Sequence, residues 1–371
     1  MFPLWKLSDE MVESLEKEIE EIYKKAEELA KKVNGWKEIP AATNCVVCGV
    51  DGSRGIERLS SAVLYAISAV GVGNEVREMS EVTTLRPHLN VEERIRLHMH
   101  TSEFRVGCFS EEEMVLIDGS LRGAFIRPAS YPEDVNKLYT NYELENFVAD
   151  FVEVLEEHFK DIERDLATGK AKKNYLISRS EILKWMENSY RIGERSFEDF
   201  TILAEYIEYL HSLNRLLDKR VFFIAKSFYT HEFDSEVCDS AILDVFALKN
   251  FGFLKSGYLV FKPSFSKSLP FFVQKNRRQF KNLFKEVNSA FVRLEDNSNI
   301  YLLETTEKID DEVISKLKAL EFDGYPLPLL QAHKIAKMKR SELRNLIANI
   351  VSTLNPELAQ LLRSGRDILE E

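Results

Sequence analysis

Residues 45–55 read CVVCGVDGSRG, and residues 114–123 read MVLIDGSLRG. Each is an apolar, β-rich run that delivers an aspartate, Asp51 or Asp118, and then Gly-Ser. Read alone, either is a strand closed by an Asx-type turn in which the aspartate caps its own backbone. Two of them in one chain suggest more. Functional groups gather at the carboxyl ends of strands in open α/β sheets. Two carboxylates at the edge of a core are costly unless a cation neutralises them.

Working outward, residues 59–70 and about 74–84 read as two further strands joined by Gly71-Val72-Gly73. Residues 91–104 have helical character and lead to the second Asp-Gly-Ser strand. Three strands, a helix and a fourth strand predict a meander, then a helical crossover, in a mixed α/β sheet. Upstream, residues 8–34 form one long amphipathic helix opened by Ser8, Glu10 and Glu13 and closed by Gly35. It suits either packing on the body or contact with a partner. Downstream, residues 132–165 and 179–218 read as a helical insertion, 220–227 as strand and 239–249 as helix. Strand-like runs follow within 256–304, then a helix near 309–320, a DGYPLPLL loop and a long basic helix over 331–350. The expected organisation is an N-terminal helix over 1–38, a domain over 39–350 with an insertion at about 131–218, and a tail over 351–371.

The 371 residues can bury a sizeable core, and 44% hydrophobic with 30% charged residues is globular composition. No apolar run approaches a membrane span, and MFPLWKLSDE has no secretory character. Four cysteines suit a reducing, cytoplasmic compartment. Cys45 and Cys48 point to opposite faces of a strand and have no second pair, so packing is their expected role. The net charge of −11 argues, as a total, against nucleic acid.

Asp51 and Asp118 suit a hard divalent ion, Mg²⁺ or Mn²⁺, bound through oxygen. Such ions serve phosphoryl displacement, ideally in pairs. A third acid on the intervening helix is expected, and Glu103 is the candidate. Actin-like and sugar-kinase ATPases also place Asp-Gly turns at strand ends, usually in longer Gly/Thr-rich loops. Arg54 and Arg122 follow the two turns at matching places and offer guanidinium groups to an anionic backbone. Lys226 ends a strand, as a phosphate contact or an edge lysine. Asp239 opens a helix, as a site acid or a plain N-cap. Between Lys262 and Lys285 lie seven Lys or Arg, no acid, and Phe265, Phe271, Phe272, Phe280 and Phe284. That pattern suits single-stranded nucleic acid, or a hairpin with core phenylalanines and a basic tip. His333 follows the rigid YPLPLL loop and heads a basic helix, where it can bind metal or phosphate.

In order along the chain, GVDGSRG, a helical glutamate, VLIDGSLRG, FIAKS, CDSAILD and GYPLPLLQAHKIA resemble the NurA-type nucleases over residues 40–345. The resemblance implies an α/β, RNase H-like mixed sheet with flanking helices. It implies a Mn²⁺-dependent (or Mg²⁺-dependent) deoxyribonuclease with two ions, cutting single strands internally and digesting DNA from 5′ ends. It also implies a homodimer that works in DNA end resection beside a hexameric HerA-type ATPase, in the cytoplasm at the nucleoid. Carried across, the catalytic residues are Asp51, Glu103, Asp118, Tyr325 and His333, and the metal ligands Asp51, Glu103, Asp118, His333 and Asp239. Arg54, Arg122, Lys226, Lys275, Arg277, Arg278 and Lys281 would contact DNA. The other readings are an actin-like ATPase or phosphotransferase and a non-catalytic DNA-binding adaptor on the same scaffold.

Overall fold

The computed structural model describes residues 9–355 and 357, apart from 60, 87–89, 127–137, 139–143, 168–174, 235 and 265–268. The expectations placed on Ser8, Phe265, the 131–137 start of the insertion and the tail beyond 357 lie outside the described residues. The chain divides into two compact units. One comprises Met1–Asn44, Ile224–Phe265 and Val287–Tyr325; the other comprises Cys45–Phe223, Ser266–Glu286 and Pro326–Glu371.

The larger unit is a mixed sheet flanked by helices, the RNase H-like arrangement expected. Strands β1 (Val47–Arg58), β2 (Val63–Val72) and β3 (Val76–Leu85) form an antiparallel meander. Helix α1 (Asp9–Ala30) belongs to the other unit; helix α2 (Val91–Cys108) makes the crossover to β4 (Met114–Asp118), which pairs parallel with β1. The strand order is β3-β2-β1-β4 and then β5 (Val221–Ala225), whose first three residues fall in this unit. β2 is apolar throughout because both its faces are covered. Tyr65 and Ile67 pack with Val91 and Ile95 of α2. Val70 and Val72 pack instead with Ala332 and Ala336.

The first Asp-Gly-Ser is not a turn. β1 runs through it to Arg58, paired residue by residue with β2 from Gly49↔Val72 to Arg58↔Val63. Its glycines serve close approach, not a bend. A Cβ on Gly49 would fall 2.4 Å from the carbonyl carbon of Pro328, and one on Gly52 would fall 2.4 Å from Glu103 Oε1. The second Asp-Gly-Ser behaves as expected: β4 ends at Asp118, Gly119 takes φ +147°, and Ser120 Oγ accepts from Gly123 N at 3.0 Å to open α3 (Leu121–Ile126).

The insertion contributes α4 (Glu145–Ala167), α5 (Glu181–Ser189) and α6 (Phe197–Leu216). It is less peripheral than an insertion suggests. α6 is buried along almost its whole length and locks to α2 through buried ion pairs, Arg94 to Glu205 at 2.7 Å and Arg105 to Glu208 at 2.6 Å. The long basic helix expected over 331–350 is two helices. α10 (Leu327–Ala336) starts earlier, with Pro328 in its first turn where a missing N–H is tolerated, and α11 (Arg340–Thr353) follows a break. Between them in chain order stand α7 (Asp239–Phe251), α8 (Phe271–Lys275) and α9 (Asp311–Ala319).

The smaller unit holds β6 (Gly257–Phe261), β7 (Asn288–Arg293) and β8 (Tyr301–Thr305) in antiparallel order β8-β7-β6. The C-terminal end of α1 packs here: Ala26, Leu29 and Ala30 join Ile242 and Leu243 of α7 in one core. Met11, Leu15, Ile19 and Ile22, earlier in the same helix, are exposed. Hairpin strands β9 (Glu321–Phe322) and β10 (Tyr325–Pro326) are joined by Asp323-Gly324, both at positive φ. The DGYP stretch, expected as loop, therefore carries a short hairpin, and its Asp-Gly pair is the turn signal.

Candidate metal centre and nucleotide cleft

Register assembles the centre. β1 and β4 pair as far as Val50↔Ile117, so one step on Asp51 and Asp118 stand side by side. Asp51 lies opposite Val70, on the face covered by α10, and there its Oδ2 meets His333 Nδ1 at 2.7 Å. Gly52 N donates to Asp51 Oδ1 at 2.8 Å, which fixes the carboxylate's plane. Asp51, Asp118 and His333 each offer a ligand atom, all within 4.8 Å of one another. Asp51 is 7% exposed, whereas the His333 side chain is 52% exposed.

Glu103 arrives from the opposite face of β1. It is 1% exposed, lies over Gly52 and is held by His100. Burial pushes the Asp51 carboxyl up to about 6, with the charges of Asp118 and Glu103 adding to the push and His333 and Gly52 opposing it. An excess of buried negative charge with oxygen, oxygen and imidazole donors fits a divalent cation, Mn²⁺ more readily than Mg²⁺ because of the imidazole.

A cleft of about 520 Å³ opens beside Asp118. Ser53, Arg54, Arg96 and His100 give it polar walls, and Met99, Phe104, Ile117 and Tyr209 give it apolar ones. Arg96 and His100 were missed in the sequence. Their signal was available: Arg96, His100 and Glu103 sit at i, i+4 and i+7 of one helix, hence on one face.

The other candidates are placed as follows. Arg54 lines the cleft, and Arg122 is half-buried on α3. Lys226 and Tyr325 belong to the smaller unit, where the Lys226 ammonium sits 4.6 Å from the centre of the buried Tyr325 ring. Asp239 belongs there too, and its carboxylate has another task. Its oxygens accept from Glu232 N at 2.9 Å and Phe233 N at 3.1 Å, holding the loop before α7. Among the described residues the grouped ligands are Asp51, Asp118 and His333, without Asp239.

The basic segment is no hairpin but α8 followed by turns, and its phenylalanines divide. Phe272 and Phe280 are core residues, while Phe271 is 54% exposed. Lys275 lies over the Phe271 ring at 5.3 Å and Arg277 over Phe284 at 4.4 Å. Arg278 is exposed, and Lys281 pairs with Asp218 at 3.7 Å. Cys48 is buried and Cys45 half-buried, both as free thiols.

The NurA domain profile matches residues 45–338. A DNA double-strand break repair nuclease NurA of Pyrococcus furiosus is 26% identical over 98% of this chain and 99% of its own. An uncharacterized protein of Methanocaldococcus jannaschii is 29% identical over 91% of each chain. A crystal structure of NurA bound to dAMP and manganese shares the fold with a TM-score of 0.85, at 24% identity, over 96% of this chain and all of that one. With a family profile matched across β1, α2, β4 and α10 alike, this chain belongs to the NurA domain family.

Proposed function

We propose that the chain is a Mn²⁺-dependent (or Mg²⁺-dependent) deoxyribonuclease that hydrolyses phosphodiester bonds with a pair of ions. In this reading it cuts single strands internally and digests DNA from 5′ ends. The observation that carries it is the set Asp51, Asp118 and His333, with ligand atoms within 4.8 Å of one another. Relatives named as NurA double-strand break repair nucleases, and a NurA structure bound to dAMP and manganese, support DNA as substrate and manganese as metal.

Asp51, Asp118 and His333 would hold the cation, with Glu103 completing the set from the other face of β1. The bound ion would supply Lewis-acid stabilisation of the phosphoryl oxygens and a lowered pKa for water. His100 keeps the Glu103 carboxylate turned towards Gly52. His333, hydrogen-bonded through Nδ1 to Asp51, keeps its ring fixed beside the carboxylate. Arg54 and Arg122 take the substrate backbone. Lys226, in the smaller unit and held over the Tyr325 ring, is by itself a proposed phosphate contact. The first Asp-Gly-Ser, lying within a paired strand, offers no turn to cradle a nucleotide phosphate, which disfavours the ATPase reading.

The exposed apolar stripe of α1 is the proposed contact for a second copy or for a partner. We assign the chain a role in DNA end resection beside a hexameric HerA-type ATPase, in the cytoplasm at the nucleoid. Among the described residues no helix is long and apolar enough to cross a membrane.

The test is cleavage of labelled single-stranded DNA in Mn²⁺ by the wild type and by Asp51→Ala, alone and with the ATPase. The wild type is expected to cut. The variant should lose more than roughly 100-fold, since even groups that merely support a ligand cost 10–100-fold. No cleavage by the wild type in either setting would sink the reading.

A further inference from the structure

Four successive positions on one face of β1 meet residues 328–343 at regular intervals. A Cβ on Gly49 would fall 2.4 Å from the carbonyl carbon of Pro328. Asp51 Oδ2 meets His333 Nδ1 at 2.7 Å, and Ser53 Oγ accepts from Met338 N at 3.0 Å. A Cβ on Gly55 would fall 2.8 Å from Met338 Sδ and 2.9 Å from Leu343 Cδ2. Each step of two residues on the strand thus answers a step of five along α10, the 337–339 link and α11. Two strand residues rise roughly 6.7 Å and five helical residues roughly 7.5 Å, so the two segments run side by side. The link is fixed beside the acidic centre by β1 itself.

The same stretch carries cations. Lys334, Lys337 and Lys339 are exposed, and among the described residues none of their ammonium groups is paired with a carboxylate. Glu342, in the first turn of α11, turns back to accept from Lys339 N at 2.8 Å. Part of this charge has a local use: Lys334 lies in the last turn of α10, where a cation offsets the helix dipole. Lys339 has no such use. It stands immediately before α11, at the helix end where the dipole disfavours a cation. From Lys334 to Lys339 the path covers roughly 7 Å beside β1, beginning next to the half-exposed His333. One strand of DNA carries a phosphate about every 3.4 Å of axis, so that path matches about two phosphates.

We propose that Lys334, Lys337 and Lys339 form a rail that holds about two phosphates of a single strand beside the scissile one, on one side of the centre. The inference rests on the nuclease reading and deepens it. The rail is separate from the basic group on 275–281, and it specifies which substrate phosphates count.

Its test uses the full chain with all three lysines replaced by Gln, or all three by Arg. In EDTA, anisotropy of a labelled single strand is followed against salt. In Mn²⁺, KM and kcat are measured on single strands in which one linkage near a mapped cleavage site is a neutral methylphosphonate. The Gln variant should flatten the slope of log affinity against log salt by about 1.4, two contacts at about 0.7 each, and the Arg variant should not. In the wild type, a methylphosphonate at either of two positions on one side of the cut should raise KM up to about 5-fold. There kcat should hold, because contacts away from the reacting atoms bind substrate and transition state alike. The Gln variant should lose the response at those two positions and keep it elsewhere. An unchanged salt slope, or the same methylphosphonate pattern in the wild type and the Gln variant, would overturn the proposal. So would a Gln variant that loses thermal stability alone, as expected of lysines that serve only the helix dipole. The two levels come apart. If the wild type cuts and the Gln variant matches it, the rail fails and the nuclease reading stands. If nothing is cut in Mn²⁺ but the slope falls in the Gln variant and not in the Arg variant, the rail stands as a single-strand site and the nuclease reading fails.

Discussion

Gly52 is the residue on which both faces of the centre depend. It lets Glu103 lie against β1 on one side while Asp51 reaches His333 on the other. A methyl group there would sit 2.4 Å from Glu103 Oε1, so the carboxylate must leave. We expect Gly52→Ala to cost only about 1 kcal/mol of stability, because the displaced group is the end of a side chain. Its activity should fall roughly 10–100-fold, with weaker Mn²⁺ binding. A melting curve and a Mn²⁺ titration check both; unchanged activity would mean that Glu103 has no part in the centre. The grouping of Asp51 with Asp118 was legible in the sequence, because each ends an apolar run in the same Asp-Gly-Ser; His333 was singled out by the rigid loop before it and Glu103 only by its place on the helix between the two strands. What the glycines do was not legible. Asp-Gly-Ser-Arg-Gly has turn composition, and only the register with β2 and the approach of Glu103 and Pro328 reveals that it stays extended.

Among elements, the pairing of α2 with α6 decides how firmly Glu103 and Arg96 are held. The helix face opposite the cleft is tied down by ions. Arg94 Nε and Nη2 donate to Glu205 at 2.7 and 2.8 Å, and Arg105 Nη2 donates to Glu208 at 2.6 Å. Burial raises the Glu205 carboxyl, but Arg94 and His98 outweigh it and hold the group well below the usual range. Its stabilisation is therefore present above the unfolded carboxylate value and is lost as pH falls through the folded one. Glu81, buried on β3 near the same layer, behaves oppositely: burial and the charge of Glu208 push it up to about 7 from 4.5. Its contribution is full at low pH and is lost as pH rises from about 4.5 to about 7. Glu81→Gln keeps an acceptor for Leu176 N and removes the charge. The variant should gain up to about 3 kcal/mol over the wild type at pH 8 and under about 1 kcal/mol at pH 5. Melting temperatures across that range check it, and a gain of equal size at both pH values would reject the assignment. This layer could not be read from the sequence. The glutamates of 197–216 look like an ordinary solvated helix face until α6 is seen to be buried.

At the scale of the whole molecule, the division into two units was hidden because their segments interleave along the chain and a boundary falls inside β5. The net charge of −11 was misleading for a related reason: a sum carries no position. One group of cations sits together on 275–281, and the structure separates them by what holds them. Lys275 and Arg277 rest on aromatic faces, which leaves their outward charge for a phosphate, and Arg278 is exposed. Lys281 already faces Asp218 at 3.7 Å and has less to offer. Each phosphate neutralised on a single strand contributes about 0.7 to the slope of log affinity against log salt. Replacing Lys275, Arg277, Arg278 and Lys281 by Gln should therefore flatten that slope by about 2, the share of three contacts and not of four. Restoring Lys281 alone should return almost none of it. The measurement is anisotropy of a labelled single strand in EDTA, where no cutting intervenes, at several salt concentrations. An unchanged slope in the fourfold variant would place DNA elsewhere on the molecule. A slope restored by Lys281 would mean that its pairing with Asp218 gives way to the strand.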